Sequence, residues 1–343
     1  MPKRYLGNII TDTPTAPAGP YEDSVASGVW SLAEANAYTA AGLWPTAGNA
    51  FPEYAIVAGG QLSVDPYVTS AIQYFTMDTL GNATDYGNLS VTVSNSTAFS
   101  SSTRAVFGVA TGSPYQYEYI SVASGGNTTY FGDMTISATA RAGCSNSTRG
   151  LVGGGYLSGS GTNVIEYVTI ASVGNGTDFG DLTVGRYNLE AIQSTTRAVF
   201  GGGSTGSYSN VMDYVTIGST GNATDFGDLT TARQSLGSGS NSTRGLFAGG
   251  WLGSRSNVIE YITIASTGNG TDFGDLLAGN YESCGTANAT RAFFMGGNTS
   301  GSGTNVIQYV TIASTGNAAD FGDLTNSIVH GAGTSNAHGG IAA

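Results

Sequence analysis

Lysine is almost missing from this chain. Lys3 is the only one, and Asp, Glu, Lys and Arg together make up 10% of the 343 residues, against roughly 25% in an ordinary soluble domain. The formal net charge is −12, so there is no basic stripe to follow a phosphate backbone or to lie on an anionic bilayer. Nucleic acid and membrane insertion are therefore not expected among its partners. No run approaches the roughly 18 apolar residues of a membrane-spanning helix. The opening "MPKRYLGNIITDTP" has no apolar stretch of signal-peptide length, which predicts synthesis and folding in a cytoplasm. The two cysteines, Cys144 and Cys284, are too few for a disulfide framework. Two histidines, His330 and His338, leave little for acid–base or metal chemistry, and the sequence holds no CxxC.

Glycine (53), tyrosine (19) and small polar residues are abundant instead, a composition of short strands and tight turns. One phrase recurs: "NVIEYVTIASVGNGTDFGDLT" from Asn163, and close copies from Asn210, Asn257 and Asn305, at spacings of 47, 47 and 48. Aligning on its tyrosine adds two degenerate copies, so Tyr74, Tyr119, Tyr167, Tyr214, Tyr261 and Tyr309 are equivalent. Periods of this length mark stacked supersecondary units.

Each copy holds four strand-like runs. "STTRAVFGGG" (194–203) is apolar and ends in glycines. "NVMDYVTIGS" alternates with period two, with Val211, Asp213, Val215 and Ile217 on one face and Met212, Tyr214 and Thr216 on the other. "TDFGDLT" is short with one aromatic, Phe226, and "ARQSLGSGS" is small and polar, suited to a crowded axis. Four strands of about five residues and their turns fill such a repeat. A single unit of this kind cannot cover both its faces, which predicts an all-β, six-bladed propeller over residues 51–343. The chain also ends with a spare inner strand, in "TNSIVHGAGTSN" (325–336), while the first copy begins directly at its second strand. The ring is thus expected to close by a C-terminal strand completing the first blade. The stub "AHGGIAA" leaves a seven-bladed ring as the alternative.

The order of these runs resembles the kelch repeat: a small inner strand, a strand ending in Gly-Gly (Gly201–Gly203, Gly249–Gly250, Gly296–Gly297), an acid before Tyr, and an outer aromatic (Phe131, Phe179, Phe226, Phe273, Phe321). The resemblance implies a fold and says little about function. Copper-radical oxidases share that fold, but they need histidine ligands and a Tyr–Cys pair near the axis.

Residues 1–50 fall outside the repeat. "TDTPTAPAGP" (11–20) reads as a semi-rigid linker. Ser31 and Glu34 form a capping-box pattern for a helix over Leu32–Ala41, flanked by Trp30 and Trp44 and carrying Tyr38. This arm resembles the start of structural proteins in tailed-bacteriophage particles of aquatic bacteria. The resemblance implies anchoring to other virion proteins through Trp30, Tyr38 and Trp44.

Three repeated constellations are candidates for chemistry. Arg104, Arg149, Arg197, Arg244 and Arg291 recur at one position, and Glu118, Glu166, Asp213, Glu260 and Gln308 at another; antiparallel neighbours are expected to pair each Arg with the acid of its own blade. The Asn222, Asp225 and Asp228 spacing invites calcium, but Asx residues make turns unaided. Asn-x-Ser/Thr sites such as Asn146, Asn222 and Asn241 are expected to serve as turn chemistry too. Cys144 and Cys284 occupy similar inner-strand positions about three repeats apart, which predicts free thiols half a turn from each other.

Loops carry the sharpest contrast. The loop after the repeated tyrosine strand is monotonous, close to "ASTGN" in most copies. The loop after the Gly-Gly strand varies and carries Tyr67, Tyr115, Tyr156, Tyr208, Trp251 and Arg255. Exposed aromatics beside polar groups suit sugar rings or a protein partner. The expectation is a non-enzymatic virion protein without cofactor or metal, tail- or fibre-associated, binding a host glycan or protein by its variable face. The alternatives are a capsid or tail decoration protein and an intracellular kelch-type scaffold.

Overall fold

Where the sequence repeats a sentence, the chain repeats a sheet. The computed structural model describes residues 52–63, 67–110 and 115–337, and the backbone of two short strands before them. Contacts divide it into two units, Met1–Glu53 and Tyr54–Ala343. In the first, Arg4–Tyr5 pairs antiparallel with Val29–Trp30. The expected helix over Leu32–Ala41, the side chain of Trp30, and Tyr38 and Trp44 lie outside the described residues.

The second unit is a six-bladed β-propeller of antiparallel sheets, each built on four strands. Blade four is typical: inner strand Glu190–Gln193, second Arg197–Gly201, third Val211–Thr216, outer Thr224–Asp228. The repeated sentence supplies the two outer strands, as read from the sequence. The other inner strands are Thr97–Ser100, Ala142–Ser145, Gly237–Ser240, Cys284–Ala287 and Ala332–Ser335. The last of these pairs with Tyr54–Ala58, Ala332 opposite Ala58 and Ser335 opposite Ala55, so blade one takes its inner strand from the C-terminal end. That pairing consumes the spare strand, and the described residues hold six blades, not seven.

No blade has a core of its own. Each hydrophobic cluster is a seam. In blade four, Phe200 and Val215 pack with Leu151, Ile165 and Phe179 of blade three, while Val199 and Met212 pack with Phe247 and Ile262 of blade five. Alternate residues of one strand thus serve opposite neighbours, which is why the second strands read as continuous apolar runs. Fully burying one such Phe is worth roughly 1.5–3 kcal/mol. At the axis the inner strands crowd. A Cβ on Gly333 would stand 2.6 Å from the Gly285 carbonyl oxygen of the neighbouring blade, so only glycine fits there.

The monotonous loops stitch the rim. Gly221 and Ala223 N–H donate to the Phe179 and Asp181 carbonyls of the preceding blade, both at 2.7 Å, and Asn222 Oδ1 accepts from Asp181 N–H at 3.1 Å. Asn127, Asn175, Asn269 and Asn317 do the same at their seams, and Asn82 does so across the closing seam to Asp323. The left-handed Gly227 (φ 137°) of the outer strand lets this loop approach, since a Cβ would meet the Gly268 oxygen at 2.5 Å. Asn146, Asn241 and Asn288 instead cap the first turn of their blades, accepting from the N–H groups of Arg149, Arg244 and Arg291. The asparagines thus work in turns, as expected, and also across seams, which was not expected.

The arginine expectation needs correction. In register, Arg197 lies opposite Thr216, three residues beyond Asp213, too far along the strand for an ion pair. Arg104, Arg149, Arg197, Arg244 and Arg291 lie over the repeated tyrosines of their own blades, 4.2–4.9 Å from the ring centroids. Four donate to the carbonyls of Ile170, Ile217, Ile264 and Ile312, each in the next blade, and Arg291 donates to Met77 across the closing seam.

The acids find different partners. Arg141 pairs with Glu166 at 2.6 Å, Arg186 with Asp213, and Arg233 with Glu260 at 2.9 Å, all fully buried. These arginines come from the connections that lead into the inner strands. Each acid also accepts from the preceding blade: Glu166 from Thr135, Asp213 from Thr183, Glu260 from Thr230. Where the acid is replaced by Gln308, the position of Arg186 and Arg233 holds Asn280; where it is Gln73, that position holds Ile328. Among the described residues, Glu118 has no arginine partner. Burial pushes its carboxyl up, but hydrogen bonds from Ser90, Thr128 and Gln116 outweigh this and hold it below the ordinary value.

Candidate functional site

Both variable elements of the repeat emerge on one face. Loops after the second strands form bridges with the connections from outer strands to the following inner strands: Thr139 with Tyr156, Tyr187 with Ser204, Gln234 with Trp251, Tyr281 with Asn298. The first three pairs join a loop to the connection leading into its own blade, and so does the fourth. Two aromatic pairs result. Tyr156 meets Tyr187 edge-to-face with centroids 5.0 Å apart, and Trp251 meets Tyr281 at 4.9 Å. Arg255 flanks the second pair, 6.0 Å from the Trp251 ring and 5.7 Å from Tyr281.

Of the six residues chosen from sequence, Tyr67, Tyr156 and Tyr208 are exposed, at 59%, 43% and 41%. Tyr67 also sits at φ 61°, a conformation that bulky side chains rarely adopt. Trp251 and Arg255 are half-buried against each other and Tyr281. Tyr115 is not presented with the rest: it packs on the seam cluster of Phe99, Val106 and Phe131. Sequence reading missed Tyr187, Tyr281 and Asn298. The signal was there, because Thr139, Tyr187, Gln234 and Tyr281 share one repeat position in connections that were read only as leads into the inner strands.

At the centre of the same face, a ring of left-handed residues frames the axis: Asn95, Ala140, Asn188, Ser235, Glu282 and His330. The N–H of Asn188 donates to Ala140, Ser235 to Asn188, Glu282 to Ser235, His330 to Glu282, and Asn95 to His330, at 2.8–3.1 Å. Glu282 and His330 additionally pair through side chains at 3.0 Å. Below this mouth lies a cavity of about 70 Å³, lined by all six inner strands. Cys144 and Cys284 line it from blades three and six, half a turn apart, both free and buried. Burial pushes the Cys284 thiol up to about 12, so it has little thiolate at neutral pH and is a poor nucleophile.

Glu190 is the carboxyl of this cavity. It accepts from Ser238 Oγ at 3.0 Å, and burial pushes it up to about 8 from 4.5. A raised carboxyl retains its proton longer in the folded state. Its contribution is complete below the unfolded value and drains as pH climbs through 8. The Glu190→Gln variant, which mimics the protonated form, should melt with the wild type near pH 4 and above it near pH 9. The expected gap at pH 9 is at least about 2 °C, the shift that roughly 1 kcal/mol makes in a sizeable domain. Thermal melts showing the same gap at both pH values would remove the protonation argument.

No protein-family model matches the chain, and no curated protein matches its sequence.

Proposed function

We propose that this protein is a non-enzymatic structural component of a tailed-bacteriophage particle, carried in the tail or its fibres, whose kelch-like propeller displays one variable face to a host-surface glycan or protein. The observation that supports it most is the division of labour within the repeat. Its constant arginines, acids and asparagines are committed to seams and turns, whereas the variable aromatics Tyr156, Tyr208 and Trp251 gather on one face. A scaffold that is held together by its constant residues can vary that face at little cost in stability. Low charge and polar turns suit a surface that works outside a cell without disulfides. Residues 1–50 would anchor it to other virion proteins.

Replacing Tyr156, Tyr208 and Trp251 together by Ala is expected to reduce adsorption to host cells at least tenfold while moving the melting temperature little. Removing residues 1–50 should leave a folded propeller that no longer joins the particle. Adsorption unchanged in the triple variant would leave a capsid or tail decoration protein. Normal incorporation without the arm would end the anchoring half.

A further inference from the structure

Arg255 stands apart from every other arginine of the propeller. Five arginines lie over tyrosines and hold carbonyls across seams, and three are in buried ion pairs. Among the described residues, Arg255 alone has neither an acid nor a seam backbone carbonyl. Its Nε and Nη2 donate to the neutral amide oxygen of Asn298, at 3.3 and 3.1 Å. Its Nη1 carries no hydrogen bond among the described residues. Glu282, next to Tyr281 in the chain, is held by His330 at the axial mouth. In a protein of net charge −12, this is an isolated cation fixed by an amide and flanked by two rings.

We propose that Trp251, Tyr281, Arg255 and Asn298 form a binding site for an acidic saccharide, a sugar ring bearing a carboxylate. This deepens the reading of the variable face and rests on it. The rings, 4.9 Å apart and inclined at 50°, offer negative faces to the positively polarised C–H bonds of a pyranose. Arg255 presents a fork that matches a carboxylate in two parallel hydrogen bonds. Asn298 holds that fork, reducing the freedom lost on binding. The neighbouring aromatic pair, Tyr156 with Tyr187, serves as an internal control. In blade three the residue that bridges back to Tyr156, as Arg255 bridges back to Trp251, is Gly161, so that pair has no cation at this position.

The test is a titration of the full-length protein with tri-galacturonate and with its neutral galactose counterpart. The acidic trisaccharide should bind at least tenfold tighter. Its advantage should shrink as NaCl is raised to about 0.5 M, where the screening length falls to a few ångström. Arg255→Gln should erase the preference without moving the melting temperature, and Arg255→Lys should retain part of it. Trp251→Ala should weaken both ligands. Equal affinity for the two saccharides, binding of neither, or a preference untouched in Arg255→Gln would overturn the proposal; so would binding of an acidic peptide in place of the saccharide. Should host adsorption still depend on Tyr156 and Tyr208 while Arg255→Gln adsorbs normally, the variable-face reading would survive and only this site would fall.

Discussion

Asp213→Ala is expected to destabilise the propeller by about 3–5 kcal/mol, the cost of leaving a buried charge without its partner. Arg186 is fully buried, and its guanidinium meets the Asp213 carboxylate and the Val211 and Phe200 carbonyls. Burial pushes the Arg186 guanidinium down and the Asp213 carboxyl up, and their mutual attraction opposes both. Without Asp213, the Thr183 hydroxyl of blade three also loses its acceptor. The same chain shows how the loss is avoided. Blade six has Gln308 for the acid and Asn280 for the arginine: Gln308 accepts from Leu277 N–H, and Asn280 donates to the Gly296 carbonyl, both at 2.8 Å. The double variant Arg186→Asn with Asp213→Gln should therefore recover at least half of the loss seen in Asp213→Ala. Denaturant midpoints of the wild type, the single and the double variant decide it. A single variant within about 1 kcal/mol of wild type would show that water reaches Arg186. A double variant as weak as the single would show that the blade-six arrangement does not transfer.

That pairing also marks the limit of what could be read in advance. Spacing and periodicity are backbone properties, so the six blades, the order of strands and the closing strand were legible from the recurrence of Tyr74 through Tyr309. Side-chain partnership depends on register and on which blade lies next door. Arg197 and Asp213 are neighbours in a repeat diagram, yet the ladder sets Arg197 against Thr216. Asp213 is reached instead by Arg186, from a connection whose only apparent task was to turn the chain. The candidate site divides in the same way. Tyr156, Tyr208, Trp251 and Arg255 stood out because their loop varies. Tyr187 and Tyr281 were hidden because their half of the face comes from a different part of the repeat, and only the bridges between the two segments bring them together. Tyr115 looked equivalent to them in sequence but turns onto Phe99 and Phe131, where a seam offered apolar surface.

Deleting residues 332–343 is expected to abolish the cooperative fold. The strand Ala332–Ser335 does more than complete blade one. Thr334 bonds Ser100 Oγ of blade two at 2.6 Å, that same hydroxyl reaches the Ser335 carbonyl at 2.6 Å, and Ser335 Oγ donates to the Ala287 carbonyl of blade six at 2.7 Å. Its removal strips a ladder from Tyr54–Ala58, exposes an unpaired edge at the axis, and uncovers the inner strands on both sides. Each lost hydrogen bond is worth roughly 1 kcal/mol. With the exposed core of the closing seam, around Ala55, Val57 and Phe293, the total is of the order of the 5–15 kcal/mol that a domain holds altogether. Position in the chain should not matter, only occupancy of the slot. A permuted protein in which residues 332–335 precede Tyr54, joined by the Asn146–Ser147–Thr148 turn that links the same strands in blade three, is expected to unfold at the wild-type denaturant midpoint. Circular dichroism and protease resistance would follow both variants. A deleted protein that still melts in one sharp transition near the wild-type temperature would show that five closed seams hold the ring without the sixth.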